Sequence, residues 1–338
     1  MKKVTINDIA KAANVAKSTV SKVMNDAPTV SPDTKRRVRA IMKQMNYTPS
    51  SIATQLARQS SSTIGVLVDL SRKADFLNHF FYTIIGGIEN VAGPLHYEVT
   101  ISNIQSTGPD NFMNRLVRGR KVDGLIMEKS ILTREQTEEL KLLEFPFVSI
   151  GQIPGAEGIS SVDIDNTLGS GMLTEHLLEQ GCRRLVFLGG EPADSIFESR
   201  SRGFRRSLKA RGLEGEVFCG EGTVAEGCRM MKNLLQSGPV PDGIVTISNY
   251  VAFGVLQALQ EAGLRIPADV CVATFDDYPL APYTSPPLTC LHLDTFELGI
   301  QAASMLMERI DGTVTGVETR LLLPTLITRQ SSLRQPAK

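Results

Sequence analysis

From Thr63 onward, short apolar runs alternate with longer amphipathic stretches, and this alternation restricts the chain to few architectures. Each run is too short for a buried helix, which favours a strand. Strands that alternate with helices form parallel sheets that are covered by helices on both faces. The predicted strands are "TIGVLVDL", "HYEVTIS", "VDGLIME", "FPFVSIG", "RLVFLGG", "DGIVTIS" and "VCVATFDD", and the predicted helices are Phe80–Ala92, Asn166–Gln180, Ser201–Ala210 and Tyr250–Glu261.

The length of this alternating region fits two lobes, each with its own sheet, because a chain of 338 residues is too long for one ordinary core. Ligands of open α/β sheets bind beyond the carboxyl ends of the strands. When two such sheets face each other, that position is a cleft. The pattern therefore predicts a two-lobed α/β body with a small-molecule site between the lobes.

Composition narrows the class of protein. With 42% hydrophobic and 21% charged residues, the chain is expected to be soluble and globular. No apolar run is long enough to span a bilayer, and "MKKVTINDIAKAA" lacks the apolar stretch of a secretory signal, so a cytoplasmic location is expected. The cysteines show no C-x-x-C spacing, which favours reduced thiols. They are Cys182, Cys219, Cys228, Cys271 and Cys290.

Charge is distributed unevenly along a chain whose net charge is zero. Residues 1–60 hold 11 Lys and Arg against 3 Asp and Glu, whereas the remainder holds 25 against 33. A basic head on an acidic body suggests a polyanionic partner for the head. The alternative is that the basic residues only form a solvated face.

The basic head carries the pattern of a helix-turn-helix unit. Thr5 and Asp8 have capping-box spacing, and Asn14 tolerates the left-handed backbone of a tight turn. A third helix begins at Ser31-Pro32-Asp33, which combines a cap residue with proline at the first helical position. In such units the second helix enters the major groove of DNA.

That second helix is "VAKSTVSKVMN", and its two faces differ in chemistry. Val15, Val20, Val23 and Met24 form one apolar stripe. The opposite face carries short hydroxyl side chains and lysines, which donate to base acceptors and phosphates. Its members are Lys17, Ser18, Ser21, Lys22 and Asn25.

Enzymatic motifs are missing from the sequence. The histidines show no H-E-x-x-H pairing, and there is neither a phosphate-binding G-x-x-x-x-G-K-[ST] loop nor a G-x-S-x-G elbow. Asp276 and Asp277 are adjacent, so in an extended chain they point in opposite directions and make a poor acid–base couple. We expect no enzymatic activity, no metal site and no cofactor. A sugar-binding protein of the periplasmic type without DNA function is the alternative to a DNA-binding regulator.

The stretches "VTINDIAKAANVAKSTVSKVMN" and "VSPDTKRRVRAIMKQMNYTPSSIATQLA" resemble the start of the lactose/galactose-repressor (LacI/GalR) family of bacterial transcription regulators. The resemblance implies base reading by Lys17, Ser18 and Lys22. It further implies a set of phosphate, backbone and minor-groove contacts. That set is Thr5, Thr19, Ser21, Asn25, Tyr47, Ser50, Ala53 and Leu56. Asn14, Ala16 and Lys22 depart from the family's usual glycine, serine and arginine, and lysine lacks the two-pronged contact of arginine with guanine.

The resemblance also implies a hinge helix that pairs with its counterpart in a second subunit and inserts Leu56 between base pairs. The expected domains are a helix-turn-helix domain at residues 1–48, a hinge and linker at 49–62, and an effector-binding and dimerisation domain at 63–338. A homodimer on palindromic double-stranded operator DNA is expected, since one reading helix covers a half-site. The alternative for the hinge is an ordinary linker helix.

Over the body the resemblance is looser and depends on "NHFFYTIIGGIE", "VDIDNTLGSGMLTEHL", "SRSRGFRRSL", "SNYVAFGVLQAL" and "ATFDDYPLAPYTSPPLTCL". It implies a type I periplasmic-binding-protein fold, with the chain crossing between lobes near 160–163, 289–293 and 321–324. The implied effector contacts are Phe81, Arg200, Ser248 and Asp276. Because Arg200 and Arg202 suit anions, the expected effector is a sugar, a sugar phosphate or a sugar acid. The alternative for Arg202 is a solvent-exposed arginine on a helix. The expected function is effector-controlled repression, with induction and corepression both open.

Overall fold

Internal contacts divide the chain into two units, Met1–Ser62 and Thr63–Lys338. The computed structural model describes residues 4–24, 26–47, 60–69, 79–104, 111–128, 132–151 and 158–334. Most of the predicted hinge, including Ser50, Ala53 and Leu56, lies outside these ranges, as does Asn25.

In the first unit, called the head here, the described residues form α1 (Ile6–Ala12), α2 (Lys17–Met24) and α3 (Pro32–Gln44). The predicted helix starts are confirmed. The Asp8 carboxylate accepts hydrogen bonds from both the amide and the hydroxyl of Thr5, and the Ser31 hydroxyl accepts one from the Thr34 amide. Asn14 takes the predicted left-handed conformation, with φ of 49°.

The core of the head is built from the apolar stripes that the sequence predicts. Ile9, Val20, Val23 and Val38 are buried at its centre, with the remaining stripe residues packed around them. Burying a valine or isoleucine side chain contributes about 1.5–3 kcal/mol, so these few residues supply most of the apolar stabilisation available to so small a unit.

The second unit, called the body here, contains two six-stranded sheets. Sheet A has the order β11-β5-β4-β3-β1-β2 and is parallel throughout. Its strands are β1 (Thr63–Val68), β2 (Glu98–Asn103), β3 (Gly124–Glu128), β4 (Phe147–Ile150), β5 (Ser161–Ile164) and β11 (Thr319–Leu322).

Sheet B has the order β12-β10-β9-β8-β6-β7 and is parallel except where β12 pairs with β10. Its strands are β6 (Leu185–Leu188), β7 (Glu216–Phe218), β8 (Gly243–Thr246), β9 (Cys271–Phe275), β10 (Thr289–His292) and β12 (Thr325–Ile327). The seven predicted strands are all present. The pattern missed β5, β7, β10, β11 and β12.

Helices lie between the strands as predicted, although one predicted boundary is wrong. The helix expected at Ser201–Ala210 begins at Ser195, because the Asp194 carboxylate caps it by accepting a hydrogen bond from the Ile196 amide. The α-helices in the described part of the body are α4 (His79–Ala92), α5 (Arg134–Leu142), α6 (Asn166–Glu179), α7 (Ser195–Ala210), α8 (Val224–Ser237), α9 (Asn249–Glu261) and α10 (Thr295–Ile310).

The chain passes between the sheets three times. It leaves sheet A after β5 and leaves sheet B after β10, and it returns from β11 in sheet A to β12 in sheet B across Leu323 and Pro324 alone. These passages confirm the three expected crossings to within a few residues. They join the lobes at one edge, so the carboxyl ends of both sheets border a common cleft.

Helices α8 and α9 pack against each other at backbone distance. A Cβ atom at Gly254 would lie 2.0 Å from the carbonyl oxygen of Val224, and one at Gly227 would lie 2.3 Å from that of Val251. No side chain fits such a gap, so glycine is required on both helices. Among the described residues, no helix is both long enough and apolar enough to cross a membrane.

Candidate functional site

Helix α2 presents a polar, positively charged face. Lys17, Ser18 and Lys22 are exposed, whereas Val20 and Val23 are buried against α1 and α3. The apolar stripe thus fixes the rotation of the helix, and the two lysines project away from the core. This geometry suits insertion into a groove lined with acceptors.

The cations of α2 and α3 have different surroundings. Lys35 and Arg39 of α3 both contact the Asp26 carboxylate, at 3.0 and 2.6 Å, and their hydrogen bonds and charge hold the pKa of Asp26 below its usual range. Within the described part of the head, no acid pairs with Lys17 or Lys22. The α2 lysines are therefore available to an external anion.

The other predicted DNA contacts occupy varied positions. Thr5 is exposed at the start of α1, where its hydroxyl donates to Asp8 over 2.7 Å. Thr19 and Ser21 are half-buried on α2. Tyr47 is half-buried and packs against the head core.

In the body, polar side chains gather where β8 and β9 end. These strands are parallel neighbours, so Ser248 and Asp276, which follow them, emerge at the same edge. A cleft of about 140 Å³ opens there. Its lining comes from both lobes and comprises Phe80, Ser248, Asn249, Tyr250, Asp276, Asp277, Tyr278, Leu293 and Thr295.

Arg200 lies beneath this cleft and is only 6% exposed. Its Nε donates to the Asn166 side-chain oxygen over 2.8 Å, and its Nη1 donates to the Ile247 carbonyl. Its guanidinium lies 3.7 Å above the centre of the Phe275 ring. A buried cation needs such partners, because removal of the guanidinium from water is costly.

The charge of Arg200 is balanced by Asp276, whose carboxylate is 4.0 Å from Nη2. Burial lowers the pKa of Arg200 and raises that of Asp276, and in each case the opposite charge counteracts the shift. Asp276 also has a left-handed backbone, with φ of 66°. Its backbone carbonyl accepts a hydrogen bond from the side-chain NH2 group of Asn249, which holds the carboxylate at the edge of the cleft.

Two acceptors at the cleft have no protein partner among the described residues. The Ser248 hydroxyl oxygen and the Asn249 side-chain oxygen are buried and make no hydrogen bond. Buried polar atoms without a partner are costly, so a ligand or ordered water is expected to pair with them. Together with Asp276 they form a set of acceptors suited to hydroxyl groups.

The structure thus brings Arg200, Ser248 and Asp276 together. Phe81 lies beside the cleft residue Phe80, but its ring packs edge-on against Tyr82. Arg202 points outward, where it is 59% exposed and pairs with Glu198 at 2.7 Å, so of the two alternatives it is the solvent-exposed helix arginine and not a ligand contact. Sequence reasoning missed Asn166, Asn249 and the cleft tyrosines, although Asn249 directly follows a predicted strand.

Comparison with known proteins identifies both units. Residues 5–50 match the bacterial regulatory proteins of the lacI family, and residues 174–332 match the periplasmic binding protein-like domain. The ribose operon repressor of Halalkalibacterium halodurans is 31% identical over 308 residues, which cover 91% of this chain and 90% of that protein. The chain belongs to the LacI family. It is therefore a DNA-binding transcription regulator, and the family consists of regulators rather than enzymes.

Solved structures of LacI-family proteins have the same fold over nearly the whole chain. The lac repressor dimer bound to operator and an anti-inducer matches with a TM-score of 0.80 and 26% identity, covering 98% of this chain and 100% of that one. The regulator CelR in complex with cellobiose matches with a TM-score of 0.73 and 28% identity, covering 97% and 100%. Both structures contain a bound small molecule.

Proposed function

We propose that this LacI-family regulator is a homodimeric repressor that binds a palindromic operator and is controlled by an uncharged sugar in the body cleft. The proposal is carried by two features of the described residues: in the head no acid pairs with Lys17 or Lys22, and at the body cleft the buried side-chain oxygens of Ser248 and Asn249 make no hydrogen bond. The proposed domains are residues 1–48 for reading, 49–62 for the hinge and 63–338 for effector binding and dimerisation, in a cytoplasmic protein.

At the operator, Lys17, Ser18 and Lys22 contact base edges and determine the preferred sequence. Thr5, Thr19, Ser21 and Asn25 contact phosphates and fix the position of the head. Lys22 lacks the rigid planar fork of arginine, so we expect weaker discrimination at its base than arginine would give. Support comes from the exposure of these side chains and from the operator-bound lac repressor dimer among the structural relatives.

At the cleft, the acceptors of Asp276, Ser248 and Asn249 bind sugar hydroxyls, and the rings of Tyr250 and Tyr278 contact the apolar face of the sugar. The centres of these two rings lie 6.1 Å apart at the cleft wall. Relatives whose names refer to ribose and cellobiose support a sugar as the ligand class.

A sugar phosphate or sugar acid is the second candidate, favoured by the presence of Arg200. Two features argue against it. The Arg200 guanidinium already has partners in Asn166, Ile247 and Asp276, and an incoming anion would approach the Asp276 carboxylate. With Arg202 directed outward, the described cleft residues offer an anion no unpaired cation.

The operator proposal is tested by selecting duplex DNA from a random library with the full-length protein at two salt concentrations. We expect a palindromic consensus whose affinity falls steeply with salt. Recovery of no preferred duplex, with the protein folded and dimeric, would contradict the proposal.

The ligand proposal is tested by thermal unfolding in the presence of neutral mono- and disaccharides, sugar phosphates and sugar acids. We expect stabilisation by a neutral sugar, since a ligand that binds the native state raises the melting temperature by mass action. Stabilisation by phosphates or acids alone would replace the neutral-sugar proposal. The same ligand should then change operator affinity, which reports the coupling between the sites.

A further inference from the structure

The loop that follows β9 is contacted at both of its ends by a single arginine. This loop runs from Asp277 to Leu288, and it borders the body cleft with Asp277 and Tyr278. Arg329 belongs to a different part of the chain, just beyond the end of β12. Its guanidinium reaches the first and the last residue of the loop, so one side chain connects the two ends.

At the start of the loop, Arg329 forms an ion pair with Asp277. Its Nη2 lies 2.8 Å from one carboxylate oxygen and donates to the other over 3.0 Å. The two side chains are only 17% and 20% exposed, so solvent screens this pair less than a surface pair. Asp277 therefore has a partner of opposite charge, although it lines the cleft.

At the end of the loop, Nη1 of Arg329 donates to the Leu288 carbonyl over 2.8 Å. The backbone of Arg329 is fixed as well. Its amide donates to the hydroxyl of Thr289 over 2.8 Å, and its carbonyl accepts from the same hydroxyl over 2.9 Å. The planar guanidinium thus approaches the loop from a backbone that is anchored on the first residue of β10.

Hydrogen bonds within the loop connect these two contacts to Tyr278. The Leu288 amide donates to the Ala281 carbonyl, and the Ala281 amide donates to the Tyr278 carbonyl, both over 2.9 Å. Ala281 and Leu288 are fully buried. The position of Tyr278 at the cleft wall therefore depends on a closed set of contacts, to which Arg329 contributes two.

The neighbouring acid, Asp276, has an arginine of its own. In an extended chain consecutive side chains point to opposite sides, but Asp276 has a φ of 66°, and both acids line the cleft. Two adjacent carboxylates repel each other unless each is neutralised. Arg200 of α7 pairs with Asp276 and Arg329 pairs with Asp277, so the two acids can lie side by side.

We propose that Arg329 is a positioning residue of the effector site, which holds loop 277–288 so that Asp276 and Tyr278 meet the ligand in a fixed arrangement. The inference rests on the sugar-binding function proposed above. Arg329 is not among the described residues that line the cleft, so it acts through Asp277. Because the loop is ordered before the ligand arrives, binding costs less conformational entropy.

The matched control is Arg320 on β11, which pairs with Glu308 and Glu318 and is 24% exposed. It resembles Arg329 in burial and in pairing with acids, but it is not among the described residues of the cleft lining. Arg329→Met and Arg320→Met each remove a half-buried arginine. A general loss of stability would appear in both variants, whereas a loss of cleft geometry should appear only in the first.

The first experiment requires no ligand. Hydrogen exchange of the full-length protein, read by mass spectrometry, reports the amides of Ala281 and Leu288. We expect several-fold faster exchange in Arg329→Met and wild-type exchange in Arg320→Met. Arg329→Lys should be intermediate, because lysine restores the charge without the planar fork. Unchanged exchange in Arg329→Met would overturn the proposal, whether or not any sugar binds.

The second experiment measures affinity by calorimetric titration with two neutral probes, D-ribose and cellobiose. We expect Arg329→Met to weaken binding about tenfold, a coupling of ordinary size between residues in contact, and Arg320→Met to stay within about twofold of the wild type. Wild-type affinity in Arg329→Met would overturn the positioning role even if the loop exchanges faster. Failure of both probes to bind the wild type would instead count against the sugar proposal, and the exchange experiment would still decide the role of Arg329.

A double-mutant cycle tests whether Arg329 acts through Asp277. Asp277→Asn keeps the shape of the side chain and removes its charge, so it also serves if Arg329→Met does not fold. The exchange rate of the double variant should equal that of the stronger single variant, because both changes remove the same contact. Additive effects on loop exchange would show that the two residues act independently and would overturn this part of the proposal.

Discussion

The head and the body use their cations in opposite ways. On α2, Lys17 and Lys22 are exposed and, within the described residues, unpaired with any acid. In the body, Arg200 is buried and held by Asn166, Ile247 and Asp276. A hydrated, unpaired charge attracts a polyanion over long range. A desolvated, paired charge instead holds the side chains around it in fixed positions beneath a cleft. The comparison separates residues that bind a partner directly from residues that hold a binding site in shape.

The largest expected effect comes from removing the buried cation. Arg200→Met should destabilise the body by about 3 kcal/mol, because it leaves Asp276 and the Ile247 carbonyl without a partner. It should also abolish stabilisation by a sugar ligand. Urea unfolding and ligand-dependent melting measure both effects. Arg202→Gln is the control, two residues away on the same helix, and should alter neither. Equal effects of the two variants would break the distinction between buried and exposed cations.

The next effect concerns the exposed cations. Lys17→Ala and Lys22→Ala should each weaken specific operator binding by about tenfold, the loss typical of one base contact, and weaken non-specific binding less. Stability should be unchanged, because neither side chain contributes to the head core. Titration of the selected operator and of a scrambled duplex measures the difference. Lys43→Ala on α3 serves as the control, and an equal loss on both duplexes would reduce the lysines to phosphate contacts.

A pH-dependent effect of intermediate size is expected in the body. His176 is buried with its Nε2 2.7 Å from the Ser332 hydroxyl, and desolvation lowers its pKa. The unfolded chain therefore takes up a proton as the pH falls below about 6.5, while the folded chain resists it. Stability should fall with decreasing pH by up to about 1.4 kcal/mol per unit.

This pH dependence is measured by urea unfolding at pH values of about 7.5 and 5.5. His176→Gln should flatten it, whereas His292→Gln, on an exposed histidine, should leave it as in the wild type. A profile that His176→Gln does not change would show that other groups govern the acid sensitivity of the body.

The smallest effect is expected at Asp26. Its pKa is lowered by Lys35 and Arg39, so its contribution is present at neutral pH and is lost as the pH falls through the lowered value. Asp26→Asn should slightly increase hydrogen exchange in α3 at neutral pH and have less effect in acid. Asp33→Asn is the control, because Asp33 pairs only within α3 with Arg36. A large loss of head stability would show that Asp26 is more than a surface anchor.

Local sequence patterns predicted the helices of the described part of the head. Its helix starts and its buried stripe depend on residues three or four positions apart, such as Thr5 with Asp8 and Val20 with Val23. In the body the patterns found the long buried strands but missed short ones such as β7 and β12. Their residues are partly exposed, so they lack a continuous apolar run.

The candidate sites were harder to predict, because they join residues from distant parts of the chain. Sequence placed Arg200 at the ligand and left Arg202 open between the ligand and solvent, because it did not give the rotation of the helix, which directs Arg200 inward and Arg202 outward.

The link between β11 and β12 limits how the body can deform. Leu323 and Pro324 alone separate strands that belong to different sheets, and Pro324 is buried. The proline ring fixes one backbone torsion near −65°, so a rotation of one lobe against the other must be absorbed by the few remaining torsions of this dipeptide. The short link therefore limits how far one lobe can rotate against the other. It also resists sliding of the lobes past each other.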